Sequence, residues 1–413
     1  MNRLLKGIAL VVGLLLLTGT AFGAGVFVSS ANLLTPCIIR TTDQPTQFAV
    51  FWQAWNLVQK NFVDRTALDS TQLTYGAIRG MVEALGDTGH SGFLTPQERT
   101  QQASGISGSF TGIGAQMGVR NGLPVIITPI DGSPALKAGI KAGDVLLRVN
   151  SEDVTTMTLN IIVEKIRGPA GSTVQLTIIR PAENKTYDFT ITRRAIDVPA
   201  ATWTMVPGTQ IALLRLSQFS ANAERDITAA LQGAKQAKAT GIIFDVRNDP
   251  GGLLDQAIKV TSHFLKQGNV LLEEDAQGNR TPSPVQPSSE ATDLPLVVLI
   301  NPGTASAAEI FAGAIQDYKR GQVVGETTFG TGTVLEPYPL ADGSALLLGV
   351  KQWLTPNGRL IRKQGIKPDI EIKLPLGSQL LTPTEVKNLT ADALGQSADA
   401  QMLKALSLFK TKP

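Results

Sequence analysis

A serine between a predicted strand and a predicted helix is the residue of this chain best placed for nucleophilic chemistry. Residues 301–309 read Asn-Pro-Gly-Thr-Ala-Ser-Ala-Ala-Glu, between the apolar run 296–300 and a helical pattern over 310–318. A strand-to-helix turn presents Ser306 to solvent with backbone N–H groups beside it, as acyl transfer requires. The same residues also fit a capping box, in which Ser306 is the N-cap and Glu309 reaches back to it.

A second glycine-rich turn can supply the rest of such a site. Residues 248–252 read Asn-Asp-Pro-Gly-Gly and follow another buried-strand pattern at 241–246. Glycine lets backbone N–H groups approach a ligand closely, and two such turns can converge at one edge of a sheet. The amide of Ala307 could then join Gly251 and Gly252 as an oxyanion hole, which stabilises the negative charge that develops during acyl transfer.

Four segments of the chain together resemble the carboxyl-terminal processing proteases, also called tail-specific proteases. They are residues 245–254, the turn that contains Ser306, residues 324–330 and residues 365–369, and they occur in the family's order. The resemblance covers most of the chain, over about residues 48–372. Members of that family are serine endopeptidases with a Ser-Lys dyad. They cleave substrates near an exposed C-terminus and usually carry an embedded PDZ domain.

The resemblance implies a role for the residues of both turns. Ser306 becomes the nucleophile of a serine endopeptidase, and Ala307 with the Gly251–Gly252 turn becomes the oxyanion hole. The implied chemistry is hydrolysis of a peptide bond by acyl transfer. No cofactor and no metal are implied for this reaction.

The third element of the site departs from the family pattern. Where the family reads Phe-Gly-Lys-Gly-Thr-Val-Gln, residues 329–335 read Phe-Gly-Thr-Gly-Thr-Val-Leu. Thr331 stands where the family has its catalytic lysine, and Leu335 where it has the glutamine that orients the lysine. A serine hydroxyl is a poor nucleophile until a base takes its proton, and threonine has no useful basicity. Two hypotheses follow: a serine endopeptidase with an unrecognised base, or a catalytically inactive PDZ-bearing scaffold that binds or regulates peptides.

Four residues are candidates for a replacement base. His90 lies in residues 86–94, a segment that resembles one near the family's active-site cleft, where it has a structural role. His263 lies in a helical pattern, in which a packed structural histidine is expected. Lys351 and Lys363 lie near the later strands. A solvated lysine with a pKa of about 10.4 stays protonated and cannot accept the proton.

Length and composition indicate an extracytoplasmic protein of several domains. The 413 residues allow two or three domains, and a hydrophobic content of 43% suffices for their cores. The net charge of +3, without a cluster of basic and aromatic residues, argues against nucleic acid as a partner. One cysteine excludes an internal disulfide, and one cysteine with two histidines leaves no zinc-ligand set.

The N-terminus reads as an export signal or a membrane anchor. Residues 8–28 are apolar and uncharged after Arg3 and Lys6, a length that just crosses a bilayer. Small residues near the end of this stretch would also suit a signal peptidase. We favour an uncleaved anchor over residues 1–30 that holds the protein to the membrane outside the cytoplasm, whereas cleavage would secrete it. Cys37 is expected to be an incidental free cysteine.

Residues 43–106 are predicted to form a helical N-terminal domain. Apolar residues recur at helical spacing over 48–85, and Trp52 and Trp55 are expected to be core or interface residues. In the family, a region of this kind packs on the protease core and can dimerise it. The resemblance therefore implies a homodimer through this domain.

Residues 107–196 change to short strands and tight turns and resemble a PDZ domain. A PDZ groove binds an extended peptide as an added strand, and the loop before that strand offers backbone N–H groups to the terminal carboxylate. Protein or peptide C-termini are thus the implied partners. Arg167 could pair with a substrate carboxylate or with a nearby acidic residue. The residues assigned to binding are Gly112, Ile113, Gly114, Ala115, Gln116, Met117 and Arg167.

The predicted fold is α+β and multidomain. An N-terminal apolar anchor, the helical domain and the PDZ domain precede an α/β core of the tail-specific protease type over residues 197–375. Residues 376–413 are expected to form a helical extension. Residues 281–295 are rich in proline and serine and are predicted to be an exposed loop.

Overall fold

The coordinates form a computed structural model that describes residues 47–87, 90–130, 132–288, 290–375 and 378–409. The predicted anchor over residues 1–30 and Cys37 lie outside the described residues. Within the described part, no helix combines the length and apolar character needed to cross a membrane. The chain divides between Leu73 and Thr74 into two compact units.

Helix α1 (Phe48–Asn61) dominates the described part of the first unit, and a 3₁₀ turn at Arg65–Ala67 follows it. Helix α1 has no buried residue. Its aromatic side chains contact one another, with 6.3 Å between the ring centroids of Trp52 and Trp55. Trp52 is exposed, so it is not a core residue within this chain. The interface role of this helix stays a prediction.

Helix α2 (Ser70–Glu83), strand β1 (Gly92–Leu94) and helix α3 (Pro96–Ile106) follow. The region predicted as helical thus contains one strand, which pairs antiparallel with the strand that begins at Ala345. Helix α3 starts at a capping box, because Thr95 and Glu98 each accept the other's backbone N–H.

The region predicted as a PDZ domain is a small sheet with two helices. Strands β3, β4, β5, β7 and β8 lie side by side in that order, β6 pairs with β5, and β2 pairs with β9. Strand β3 is therefore at the edge of the sheet. The strands are β2 (Ser109–Gly112), β3 (Ala115–Arg120), β4 (Leu123–Pro129), β5 (Val145–Val149), β6 (Glu152–Asp153), β7 (Thr173–Arg180), β8 (Lys185–Thr192) and β9 (Arg194–Asp197). The helices are α4 (Pro134–Ala138) and α5 (Leu159–Ile166).

The rest of the chain is a three-layer α/β/α core with a second sheet at its side. The central sheet has the order β10-β11-β12-β15-β16-β19, in which only the β10–β11 pair is antiparallel. The strands are β10 (Ala201–Met205), β11 (Ile211–Leu216), β12 (Gly241–Asp245), β15 (Leu296–Ile300), β16 (Gln322–Gly325) and β19 (Ile370–Glu371). The helices are α6 (Ala223–Gln236), α7 (Leu254–Ser262), α8 (Ala307–Asp317), α9 (Pro383–Lys387), α10 (Ala391–Gly395) and α11 (Ala400–Phe409).

Alternate residues of the central strands point to opposite helical layers. In β12, Phe244 packs with Phe264 and with Phe311 of α8, whose ring centroid lies 4.5 Å away. Ile243 faces the other cluster, which contains Met402 of the C-terminal extension. Both faces are covered, so β12 and β15 are buried at every position and read as uninterrupted apolar runs.

The second sheet corrects one prediction. It contains β1, β13 (Asn269–Glu274), β14 (Arg280–Pro284), β17 (Thr333–Pro339) and β18 (Ala345–Leu354). The loop predicted over residues 281–295 is wrong for its first four residues, because β14 pairs antiparallel with β13. Strand β14 lies at the sheet edge, where Pro282 and Pro284 need not donate a backbone hydrogen bond outward.

A buried arginine joins the C-terminal extension to the end of β12. The guanidinium of Arg247 donates to both carboxylate oxygens of Asp245 and, at 2.9 Å and 3.0 Å, to those of Asp399. Asp399 also accepts the backbone N–H groups of Leu381 and Met402. The extension therefore fixes the point from which the Pro-Gly-Gly turn leaves the sheet.

Replacing Asp399 should strongly destabilise the protein. Asp399→Ala leaves the buried charge of Arg247 short of a partner, which costs about 3–5 kcal/mol in the free energy of unfolding. Asp293→Ala is the control, because its ion pair with Lys266 is exposed and should leave stability almost unchanged. Urea unfolding of both variants measures the difference, and equal losses would contradict the assigned role of Asp399.

Candidate active site

Ser306 is the N-cap of helix α8 and has an unusual backbone conformation. Its φ of 56° and ψ of −120° are rare for a residue with a side chain. Such strain persists only where surrounding structure enforces it, and it is concentrated at functional sites. The preceding Thr304 holds the turn, because its hydroxyl donates to the carbonyl of Val246 at 2.8 Å and accepts the Asn301 amide.

The two glycine-bearing turns lie against each other. A Cβ atom on Gly251 would come within 2.6 Å of Ser306 Cβ and 2.7 Å of the Ala307 amide nitrogen. A Cβ atom on Gly252 would lie 2.3 Å from the carbonyl oxygen of Phe219. Gly251 and Gly252 also have φ values of 92° and 147°. Contacts this close require glycine at both positions.

The backbone amides in this contact divide into occupied and free groups. Gly251 N–H donates to the side chain of Asp249 at 2.8 Å, so it already has an acceptor. Gly252 N–H and Ala307 N–H have no acceptor within the part of the chain that the structure describes. The two amides open to a ligand are therefore those of Gly252 and Ala307, and Gly251 contributes the absence of a side chain.

Asp249 is a buried acid that we did not assign to the site from the sequence. Its Oδ2 atom has no hydrogen-bond partner among the described residues. Burial raises the pKa of Asp249 well above its ordinary value, which favours the neutral acid. The carbonyl of Asp249 also accepts the Ala305 amide at 2.9 Å and joins the two turns. Its place two residues before Gly251 is the signal of an Asx turn.

Glu309 connects the Ser306 turn to the turn where the base is expected. It is fully buried, and its Oε2 atom accepts the backbone N–H groups of Ser306 and Thr331, each at 2.9 Å. Its Oε1 atom accepts the Gly330 amide at 2.7 Å and the Thr328 hydroxyl. Burial raises the pKa of Glu309, although these donors favour its ionised form. The predicted capping glutamate thus has a second role.

The two lysines considered as replacement bases have other surroundings. Thr331, which the resemblance places at the lysine position, is buried, and Leu335 lies opposite Gly349 in the β17–β18 pair. The ammonium of Lys351 pairs with Glu273 at 3.2 Å. Lys363 is exposed, although its backbone amide donates to the Gly330 carbonyl.

The two histidines have different surroundings. His263 is buried, with Nδ1 2.6 Å from the Ser288 hydroxyl and Nε2 3.2 Å from the Thr228 hydroxyl. Burial lowers the pKa of His263, as for a packed structural residue. His90 is also buried, but its ring packs against Phe329, next to the Thr331 turn.

The predicted peptide-binding loop is held in one backbone conformation. Gly114 has a φ of 74°, and a Cβ atom there would lie 2.4 Å from Ser133 Cβ, so glycine is required. Ile113 is buried in the core, and its carbonyl accepts the Ala135 amide at 2.8 Å. Gly112 ends β2, on the other side of Ile113.

Strand β3 continues from this loop as an open sheet edge. Ala115 and Met117 pack against the core, whereas Gln116 is exposed. Because β3 pairs with a strand on one side only, its other edge can take an added strand.

A cavity of about 1100 Å³ lies between this region and the α/β core. Arg167 and Phe110 are in its wall, with the guanidinium carbon 5.4 Å from the ring centre. Ser217 and Gln218 line its other side. They precede Phe219, whose amide donates to the Gly251 carbonyl, so this wall of the cavity is joined through the chain to the Gly251–Gly252 turn.

Comparisons with known proteins agree with this organisation. The model of peptidase family S41 matches residues 210–372, and a PDZ domain model matches residues 125–180. The carboxy-terminal-processing protease of Bartonella bacilliformis is 36% identical over 366 residues, which cover 86% of this chain and 82% of that protein. The carboxyl-terminal-processing protease of Synechocystis is 34% identical over 387 residues, which cover 92% and 90%. The carboxy-terminal processing protease CtpA of Bacillus subtilis is 35% identical over 369 residues, which cover 87% and 76%.

Adding one methyl group at Gly251 should disrupt the contact between the turns. Gly251→Ala forces the Gly251 turn away from Ser306 and Ala307. We expect it to lower the free energy of unfolding by about 1–3 kcal/mol more than an alanine at a glycine that has a positive φ but no atoms near its missing Cβ. Gly278→Ala is the matched control, because Gly278 has a φ of 83° and no atom near its missing Cβ. Urea unfolding measures both variants, and equal destabilisation would mean that the turns do not touch as described.

Proposed function

The chain belongs to peptidase family S41, the carboxy-terminal processing proteases, and we propose that it hydrolyses peptide bonds near substrate C-termini with Ser306 as nucleophile. The observation that carries this proposal is the contact of Gly251 with Ser306 and Ala307, which gathers a hydroxyl and two free amides at one point. The strained backbone of Ser306 supports it, since the neighbouring turns must enforce that conformation.

The proposed reaction is acyl transfer to Ser306. Its hydroxyl attacks the scissile carbonyl carbon, and the carbonyl oxygen becomes an oxyanion that accepts hydrogen bonds from the Gly252 and Ala307 amides. A single donor of this kind typically contributes about 10²–10³ in rate. Glu309 acts as a positioning residue, because its carboxylate holds the Ser306 amide in place.

Substrate recognition is proposed to use the PDZ domain. The loop from Gly112 to Gly114 would bind the terminal carboxylate, and the open edge of β3 would pair with the peptide backbone. Arg167 would supply a positive charge in the wall of the cavity between the PDZ domain and the α/β core. The partners are therefore protein or peptide C-termini.

Thr331 is the observation that favours the alternative, a catalytically inactive peptide-binding scaffold or regulator. At this buried position a threonine cannot accept the serine proton. The peptide groove would then remain functional without hydrolysis. Activity of the purified protein decides between the two functions.

We further propose that the protein acts outside the cytoplasm and is tethered to the membrane. The uncharged apolar stretch over residues 8–28 supports a tether. The exposed aromatic residues of α1, including Phe51 and Trp52, support a homodimer contact through this helix.

Cleavage of an unstructured protein with an apolar C-terminus tests the proposed function. The full-length chain in detergent should cleave it, and Ser306→Ala should abolish cleavage. A fluorophosphonate probe should label Ser306 in the parent, because only an activated hydroxyl reacts quickly. A parent that neither cleaves nor is labelled, but still binds peptides, would establish the scaffold instead.

Blocking the substrate's terminal carboxylate should weaken substrate binding more than it slows the chemical step. A peptide substrate with a C-terminal amide loses the charge that the Gly112–Gly114 loop would bind. Charge-assisted hydrogen bonds contribute about 1.5–3 kcal/mol, so KM should rise roughly 10- to 100-fold while kcat changes little. Steady-state kinetics on the matched acid and amide peptides gives both constants. Identical KM values would exclude recognition of the carboxylate.

A further inference from the structure

An aspartate and a histidine form a buried pair beside the proposed active site. His90 Nδ1 lies 3.3 Å from Asp87 Oδ1, and both residues are buried. The other ring nitrogen, His90 Nε2, is buried and has no hydrogen-bond partner in the described part of the chain. Buried polar atoms without a partner are uncommon, and one on an imidazole is a free proton acceptor or donor.

The surroundings of Asp87 keep its carboxylate ionised. Its carboxylate accepts the Ser91 amide at 3.1 Å, the Ser91 hydroxyl at 2.7 Å and Arg362 Nε at 3.2 Å. Burial opposes ionisation, but the hydrogen bonds from Ser91 and Arg362 hold the pKa of Asp87 down at about 2. An ionised Asp87 can accept a hydrogen bond from His90 Nδ1–H, and in that tautomer of the neutral ring the lone pair is on Nε2.

The pair is fastened to the turn that carries Thr331. The rings of His90 and Phe329 contact edge to face, with 6.0 Å between centroids. The Phe329 amide donates to the Thr304 carbonyl at 3.0 Å, two residues before Ser306. His90 thus packs on a residue whose backbone is bonded to the nucleophile turn.

The residues after Phe329 complete this link. The amides of Ser306 and Thr331 lie within two hydrogen-bond lengths of each other, since both donate to Glu309 Oε2. At Gly332 a Cβ atom would lie 2.2 Å from the backbone nitrogen of Arg362, and the side chain of Arg362 donates to Asp87. The turn over residues 329–332 is therefore connected to Ser306 through Glu309, and the Asp87–His90 pair packs on this turn.

On the premise of the function proposed above, we propose that His90 is the general base that replaces the lysine and that Asp87 is its positioning residue. The proton of Ser306 Oγ moves to His90 Nε2 as Oγ bonds to the scissile carbonyl carbon. The carbonyl π electrons move to the oxygen held by Gly252 and Ala307. His90 Nε2 then gives its proton to the leaving nitrogen as the C–N bond breaks.

Deacylation repeats this sequence with water. His90 Nε2 takes one proton of the water as its oxygen attacks the acyl carbon, and the proton returns to Ser306 Oγ when the ester bond breaks. The products are a peptide with a new carboxylate and the free enzyme. The hydrogen bond from Ser306 Oγ to His90 Nε2 forms in the substrate complex, where catalytic hydrogen bonds tighten.

Replacement of His90 in the full-length chain tests the proposal. His90→Gln should lower kcat/KM for the unstructured substrate by about 10³ or more, mainly through kcat. His263→Gln is the matched control and should leave the rate unchanged, because the only other histidine of the chain lies in a structural contact. Asp87→Asn should also lower kcat, because the amide no longer favours the Nδ1–H form.

Restoring the family's base gives a second, independent readout. In the His90→Gln background, Thr331→Lys with Leu335→Gln should recover at least part of the lost rate, which also shows that the variant folds. The lysine variant should gain rate as pH rises, because its amine must be deprotonated to accept the proton.

The outcomes separate the two proposals. If the parent cleaves, Ser306→Ala does not and His90→Gln retains the parent rate, the general-base role of His90 is overturned while the proposed function stands. If neither the parent nor any variant cleaves or reacts with a fluorophosphonate, the proposed function fails and His90 has no proton to accept. If His90→Gln is inactive and the lysine background restores cleavage, the proposal is supported.

Discussion

One buried carboxylate determines whether this active site can exist. Glu309 is the third residue of helix α8, and the N-terminus of a helix favours a negative charge there. Its oxygens bind the amides of Ser306, Gly330 and Thr331. Without that carboxylate, three buried or half-buried amides would lose their acceptor, and the turn before β17 would lose its side-chain link to the Ser306 turn. The relative position of Ser306 and the Thr331 turn therefore depends on a residue that takes no part in the proposed chemistry.

On the proposed assignment, the site can lack a lysine at position 331 and keep its other parts. The proposed oxyanion amides depend on the contact of the Gly251–Gly252 turn with Ser306, and the position of the Thr331 turn depends on Glu309. Neither support involves the side chain at position 331. A threonine in place of the lysine would thus remove the amine and leave these backbone contacts unchanged. A base supplied from another segment, such as the Asp87–His90 pair, then needs no rebuilding of the turns.

The sequence was sufficient for the residues that sit in turns with a characteristic composition. The Pro-Gly-Gly turn, the Ser306 turn and the PDZ region can all be read from local patterns. Local patterns could not reveal which amides remain free, because the acceptor of Gly251 depends on how Asp249 folds back. They also missed strand β14, whose proline-rich sequence is typical of a loop and is extended only because β13 pairs with it. Thr331, whose backbone amide donates to Glu309, lies 22 residues away in the chain and is brought close only by the tertiary fold.

The most direct measurement is a crystal structure of the full-length protein with a peptide boronate bound covalently to Ser306. The tetrahedral boron stands in for the carbon of the acyl-transfer intermediate. We expect one boronate oxygen at roughly 2.7–3.1 Å from both the Gly252 and the Ala307 nitrogens. We also expect His90 Nε2 within hydrogen-bond distance of Ser306 Oγ or of the other boronate oxygen. A boronate that forms no bond to Ser306, or an oxygen that points away from both amides, would contradict the central claim.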